Sequence, residues 1–156
     1  MGLGSDAGSG GPTILLDVFL TNQRRKRMIE AALAKAELPA EDYPVYVLIG
    51  AEGPWTPTAL ARRLEMPLST MLFRLGRLER RGHAERVPNP DDGRSYLIRL
   101  TADGDRLLGE ARPAFRDYAV AVEERLGADR VEALRAALDE LRRAVAAELE
   151  ARSAGR

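Results

Sequence analysis

Between Thr56 and Leu100 the chain carries start and stop signals so closely spaced that only two short helices and a hairpin fit between them. Thr56-Pro57-Thr58 reads as an N-cap followed by proline at the first helical position, opening a helix through Leu60, Ala61 and Leu64. Met66-Pro67 closes it. The next helix, about Leu68 to Arg81, places Leu68, Met71, Leu72, Leu75 and Leu78 on one side, and Gly82 is its C-terminal stop. Glu85-Arg86-Val87 and Ser95 to Leu100 then read as paired strands, joined by the long turn Pro88 to Arg94. Two helices in series followed by a hairpin wing is what this spacing predicts.

The flanks read as longer helices. Residues 1–12 are too rich in Gly and Ser to pack and are expected to form a flexible tail. From about Thr13 to Lys35, Leu16, Phe19, Leu20, Ile29, Ala32, Leu33 and Ala36 recur at helical spacing, and Leu38-Pro39 ends that helix. A second helix is expected from about Ala40 to Ala51, with Pro44 tolerated in its first turn. Thr101 caps a long helix ending at Gly127, in which Pro113 predicts a kink. The last helix, about Ala128 to Arg152, carries Val131, Leu134, Leu138, Leu141, Val145 and Leu149 in a narrow seam like that of a coiled coil. That seam and the apolar first helix offer more apolar surface than one small domain buries alone, so a homodimer is expected, with Leu16, Phe19, Leu20, Val131, Leu134, Leu138, Leu141 and Val145 as its contacts. The fold class is mainly α: a two-helix and wing lobe at 38–101 between dimerisation segments at 13–37 and 102–153.

Composition narrows the chemistry. The formal net charge is zero, but residues 1–55 hold five basic and seven acidic groups, 56–100 nine and five, and 101–156 ten and twelve. A basic centre between acidic arms suits a protein that brings one face to DNA. Cysteine is absent, which removes disulfides and thiol redox sensing, and the lone His83 cannot build a zinc site by itself. Neither a cofactor nor a metal is expected. An enzyme is not expected either, because there is no Cys nucleophile, no glycine-rich phosphate loop and a single histidine. The chain lacks an apolar run long enough for a membrane span and a basic-then-apolar leader, so the expected location is the cytoplasm.

Leu60-Ala61-Arg62-Arg63-Leu64, Ser69-Thr70, Arg77-Leu78-Glu79-Arg80-Arg81-Gly82, Glu85-Arg86 and Asp92-Gly93-Arg94, before Leu100-Thr101 and Gly104, stand in an order and spacing that resembles the MarR family of bacterial transcription factors. The resemblance runs from Thr13 to Leu149. It implies a six-helix winged helix-turn-helix chain, dimerised through both ends, that binds palindromic operators on double-stranded DNA and usually represses. It also implies control by a small aromatic or phenolic effector lodged between the dimerising helices and the DNA-binding lobe, and an arginine, Arg94, entering the minor groove from the wing.

The residues themselves fit that use. Opposite the apolar stripe of the second short helix lie Ser69, Thr70, Phe73, Gly76, Arg77 and Arg80, with Arg74 flanking them. Hydroxyl and guanidinium groups there can reach base edges and phosphates, arginine by bridging guanine O6 and N7. Phe73 either packs under the wing, as most phenylalanines are buried, or touches a thymine methyl. Asp92 is placed to orient Arg94 by a salt bridge. The run Arg24-Arg25-Lys26-Arg27 reads as a solvated face, with DNA phosphates, an acidic effector or a partner chain as alternatives. Trp55, Tyr43, Tyr46 and Tyr96 read as core or pocket lining, and His83 as a satisfied structural histidine. The rival reading is a winged-helix protein-interaction module without specific DNA binding, since zero net charge gives little long-range attraction for DNA.

Overall fold

The computed structural model describes residues 13–36 and 38–155, so the expected tail at 1–12 lies outside the described residues. Among the described residues the order is α1 (Ile14–Ala32), α2 (Tyr43–Glu52), α3 (Pro57–Arg63), α4 (Leu68–Arg80), β1 (Ala84–Pro88), β2 (Tyr96–Leu100), α5 (Ala102–Leu126) and α6 (Ala128–Ala154). This is the expected mainly helical architecture with a two-stranded wing. The chain divides into two compact units, Met1–Phe115 and Arg116–Arg156.

The local signals act largely as read. Thr13 caps α1, accepting from the Leu16 amide, and Thr56 caps α3, accepting from the Ala59 amide at 3.1 Å. Two boundaries differ. α1 stops at Ala32 rather than Lys35, and residues 33–36 turn instead. α2 begins at Tyr43 rather than Ala40, because Pro39 to Asp42 form a turn in which the Asp42 amide donates to the Pro39 carbonyl at 2.9 Å. Pro44 then falls in the first turn of α2, where its missing N–H costs nothing.

Gly82 takes φ 72° after α4 and turns the chain into β1. The strands pair antiparallel from Ala84 with Leu100 to Pro88 with Tyr96. Trp55 adds a third, single-residue rung: its amide donates to the Ile98 carbonyl at 3.1 Å, and the Ile98 amide donates back at 2.8 Å. α5 starts tight against β1, where a Cβ on Gly104 would lie 2.0 Å from the His83 carbonyl oxygen. The Thr101 hydroxyl bridges the same junction, donating to the Gly82 carbonyl at 2.6 Å and accepting from the Gly104 amide.

The core of the first unit is built on Val45, Tyr46, Leu60, Met71, Leu75, Leu78 and Ile98, all fully or almost fully buried. On α4 only Met71, Leu75 and Leu78 of the expected stripe go inside; Leu68 and Leu72 are both 43% exposed. Leu72 stands about 100° round the helix from Met71, and the side chain of Leu68, in the first turn, leans towards the helix start and past its neighbours. α5 runs as one continuous helix through Pro113. In the second unit, Gly127 (φ 81°) joins the end of α5 to α6, and Arg135 pairs with Glu123 at 2.8 Å. No residue of α6 is buried, and Leu134, Leu138, Val145 and Leu149 are exposed. At the start of α1, Leu16, Phe19 and Leu20 are exposed as well.

Candidate nucleic-acid interface

α4 is held by its buried stripe so that its first two turns present Ser69, Thr70 and Phe73 to solvent. Phe73 is 63% exposed, so it does not pack under the wing. With Leu68 and Leu72, also exposed, it leaves apolar surface uncovered on the first two turns of α4. Arg80 is exposed further along the helix, and Arg62 and Arg63 at the end of α3 are exposed cations that the sequence reading did not single out.

Arg74 and Arg77 point elsewhere. The Arg77 guanidinium turns to the start of α2, where Nη2 donates to both oxygens of Asp42 at 2.6 Å and to Glu41 Oε1 at 2.6 Å. Arg74 Nη1 donates to the Glu41 carbonyl and lies 3.8 Å from Asp42 Oδ1. Asp42 is fully buried, alone among the polar and charged side chains of the described residues. Hydrogen bonding from Arg77 holds the Glu41 carboxyl below its ordinary range, and the bonds to Asp42 and Glu41 raise Arg77 above its own. Stripping the cation from a buried carboxylate costs about 3–5 kcal/mol. In the structure the Arg77 guanidinium is thus engaged by carboxylates of the same unit.

At the wing, Asp92, Gly93 and Arg94 are exposed. Asp92 does not pair with the Arg94 side chain; its Oδ1 accepts from the Arg94 amide at 3.0 Å, because a short carboxylate two residues back reaches the backbone first. Asn89 and Ser95 close the loop beneath it through a 2.7 Å side-chain bond. The Arg94 guanidinium has no acidic partner among the described residues, so it is a free cation at the tip. Other central arginines are neutralised: Arg86 Nε sits 2.6 Å from Glu79 with its guanidinium 4.4 Å from the Tyr96 ring, and Arg99 pairs with Glu85 at 2.8 Å. Among the described residues, the central arginines without an acidic partner are Arg62, Arg63, Arg80, Arg81 and Arg94.

His83 is a structural histidine, its Nδ1 lying 2.7 Å from the Tyr46 hydroxyl. Desolvation pushes that hydroxyl up to about 12. The basic run of α1 is exposed; Arg25 donates twice to Asn22 Oδ1, and Lys26 approaches Glu30 at 3.9 Å. Arg25 and Lys26 also border a cleft of about 350 Å³ with Arg74, Glu41, Ile29 and Leu64. A smaller, apolar hollow of about 280 Å³ is lined by Tyr43, Pro44, Val47, Leu48, Leu64 and Phe115. Among the described residues no helix is long and apolar enough to cross a membrane.

The profile of the MarR family matches residues 26–95. The multiple antibiotic resistance protein MarR of Salmonella typhimurium is 31% identical over 119 residues, covering 75% of this chain and 82% of that protein. The HTH-type transcriptional regulator ML2140 of Mycobacterium leprae is 30% identical over 137 residues, covering 88% and 92%. Among solved structures, a mutant MarR from E. coli complexed with operator DNA superposes with a TM-score of 0.74 at 27% identity, covering 82% of this chain and 94% of that one. The wild-type apo form gives 0.66 at 26% identity, covering 84% and 98%.

Proposed function

Because the chain belongs to the MarR family of transcriptional regulators, we propose that it binds a palindromic operator as a homodimer and represses by occupying the promoter. The observation that carries this reading is the outer face of α4, where Ser69, Thr70 and Phe73 stand exposed on one rigid helix, with Arg94 free at the tip of the wing of the same unit. A helix of this kind enters a major groove, and a wing arginine suits the adjoining minor groove. The related E. coli MarR mutant, captured with operator DNA, supports the same use. Segment 38–101 reads DNA; 13–37 and 102–153 supply the dimer contacts. The exposed apolar side chains of α1 and α6 support that division, because each helix leaves a face that a lone chain does not cover.

A small aromatic or phenolic effector that shifts the spacing of the two reading helices completes the proposal. The apolar hollow under Tyr43 and Phe115 accepts a ring, and the cleft bordered by Arg25, Lys26 and Arg74 accepts a carboxylate or phenolate.

The test is a mobility-shift titration against the intergenic DNA beside the gene, at two salt concentrations and with competitor DNA. A discrete shift that weakens steeply with salt and leaves a palindromic footprint is expected. Salt-insensitive binding, or none above competitor, transfers the assignment to a protein-interaction module.

A further inference from the structure

A guanidinium reads guanine by aiming two parallel N–H groups at O6 and N7. Arg77 has no such pair to offer. Its Nη2 is taken by three carboxylate oxygens at 2.6 Å, two from Asp42 and one from Glu41, and its Nε is buried without a partner. What remains of the group lies over Phe73, with the guanidinium carbon 5.6 Å from the ring centroid. Phe73 is therefore flanked on one side by a cation that is itself anchored to a fully buried carboxylate on another element. A ring restrained in this way loses little freedom when it meets a partner.

From this chain of contacts we infer that Arg77 is a positioning residue: locked on Asp42 and Glu41, it seats α4 against the start of α2 and holds Phe73 outward as the group that recognises a thymine. Phe73 has no hydrogen-bonding atom, so it discriminates by apolar contact alone. The 5-methyl of thymine is the apolar feature on the major-groove edge of a base pair. The inference rests on the operator-binding reading and adds to it the base read and the residues that aim the reader.

The experiment uses the full chain and the footprinted operator, with single thymines replaced in turn by uracil, which removes only the methyl group. Affinity is measured by fluorescence anisotropy over a salt series for wild type, Phe73→Ala and the double variant Asp42→Leu with Arg77→Met. The double variant removes the Arg77–Asp42 pair as a unit and leaves no lone charge in place of Asp42; Arg74 keeps its bond to the Glu41 carbonyl, the Glu41 carboxylate is half exposed, and a thermal melt of the variant checks that it folds. Wild type is expected to lose about three- to fivefold at one thymine per half-site, the size of one buried methyl group. Phe73→Ala is expected to be indifferent to that replacement. The double variant is expected to lose most of the discrimination while keeping the wild-type salt slope.

Full thymine discrimination in the double variant, or a salt slope reduced by about 0.9, the signature of one lost phosphate contact, overturns the positioning role. Wild-type binding that ignores uracil at every thymine overturns the thymine assignment and leaves operator binding intact. A wild-type protein without any salt-sensitive operator complex removes the operator-binding reading itself.

Discussion

Tyr46 is fully buried with its hydroxyl 2.7 Å from His83, and desolvation raises its pKa from 10.0 to about 12. The sign of the linkage is fixed by that direction. Below pH 10 the phenol is protonated both folded and unfolded, and stability is independent of its titration. Between pH 10 and about 12 only the unfolded chain ionises, so stability falls as pH rises, by an amount on the order of 2–3 kcal/mol for a gap of this size. Urea titrations of wild type and Tyr46→Phe are expected to differ by a constant below pH 10 and to converge above it; a constant difference up to pH 12 contradicts the burial effect. The sequence reading had Tyr46 as core or pocket lining and, from the family resemblance at its position after Gly82, His83 as structural. It did not reveal that Arg77 is spoken for. The polar face of a helix shows which side chains share a direction, but Asp42 comes from another element, 35 residues earlier, and only folding brings the two together.

Helices with a strong signal at one end were legible almost to the residue: α3 has the Thr56 cap and Pro57 at its first position, and α4 is stopped by Gly82. Elements lacking such signals were not. α2 was expected to start at Ala40, since nothing in Pro39 to Asp42 distinguishes a turn from a first helical turn. The pairing of Trp55 with Ile98 has no periodicity at all, because one residue makes no pattern. The wing was legible through its Pro, Asn, Asp and Gly turn, but the partner of Asp92 was misread, as a side chain two positions away competes poorly with the nearer amide. The wing loop is held by Asn89, Ser95 and the backbone of Asp92, none of which uses the Arg94 side chain. Arg94→Ala is therefore expected to leave the melting temperature unchanged and to lower operator affinity with a salt slope reduced by about one unit. Unchanged affinity in the mobility shift would show that the wing tip makes no contact.

Charge and apolar surface are properties of the whole chain. Net charge is zero, and four of the central arginines, Arg74, Arg77, Arg86 and Arg99, are turned to acids within the fold, so attraction for DNA rests on a few exposed cations. Operator affinity should accordingly depend on shape and base contacts as much as on phosphate neutralisation. The α6 seam was visible in the sequence as a three- and four-residue repeat, and no residue of that helix is buried in the single chain. Leu138, 53% exposed in the single chain, lies in the middle of the seam. Leu138→Asp places a charge where a partner's apolar side chains would close over it, and sedimentation is expected to show a monomer. A variant that still sediments as a dimer would move the interface off this seam.

Trp55 is the single tryptophan of the chain. Its indole N–H donates to the Leu48 carbonyl on α2 at 3.2 Å, while its backbone is paired with Ile98 at the root of the wing. All indole emission thus arises from one half-buried ring stitched at once to a core helix and to the hairpin. The molecule carries its own optical gauge of that joint, and any DNA or small molecule that tilts the hairpin relative to α2 would register in the native emission without a label.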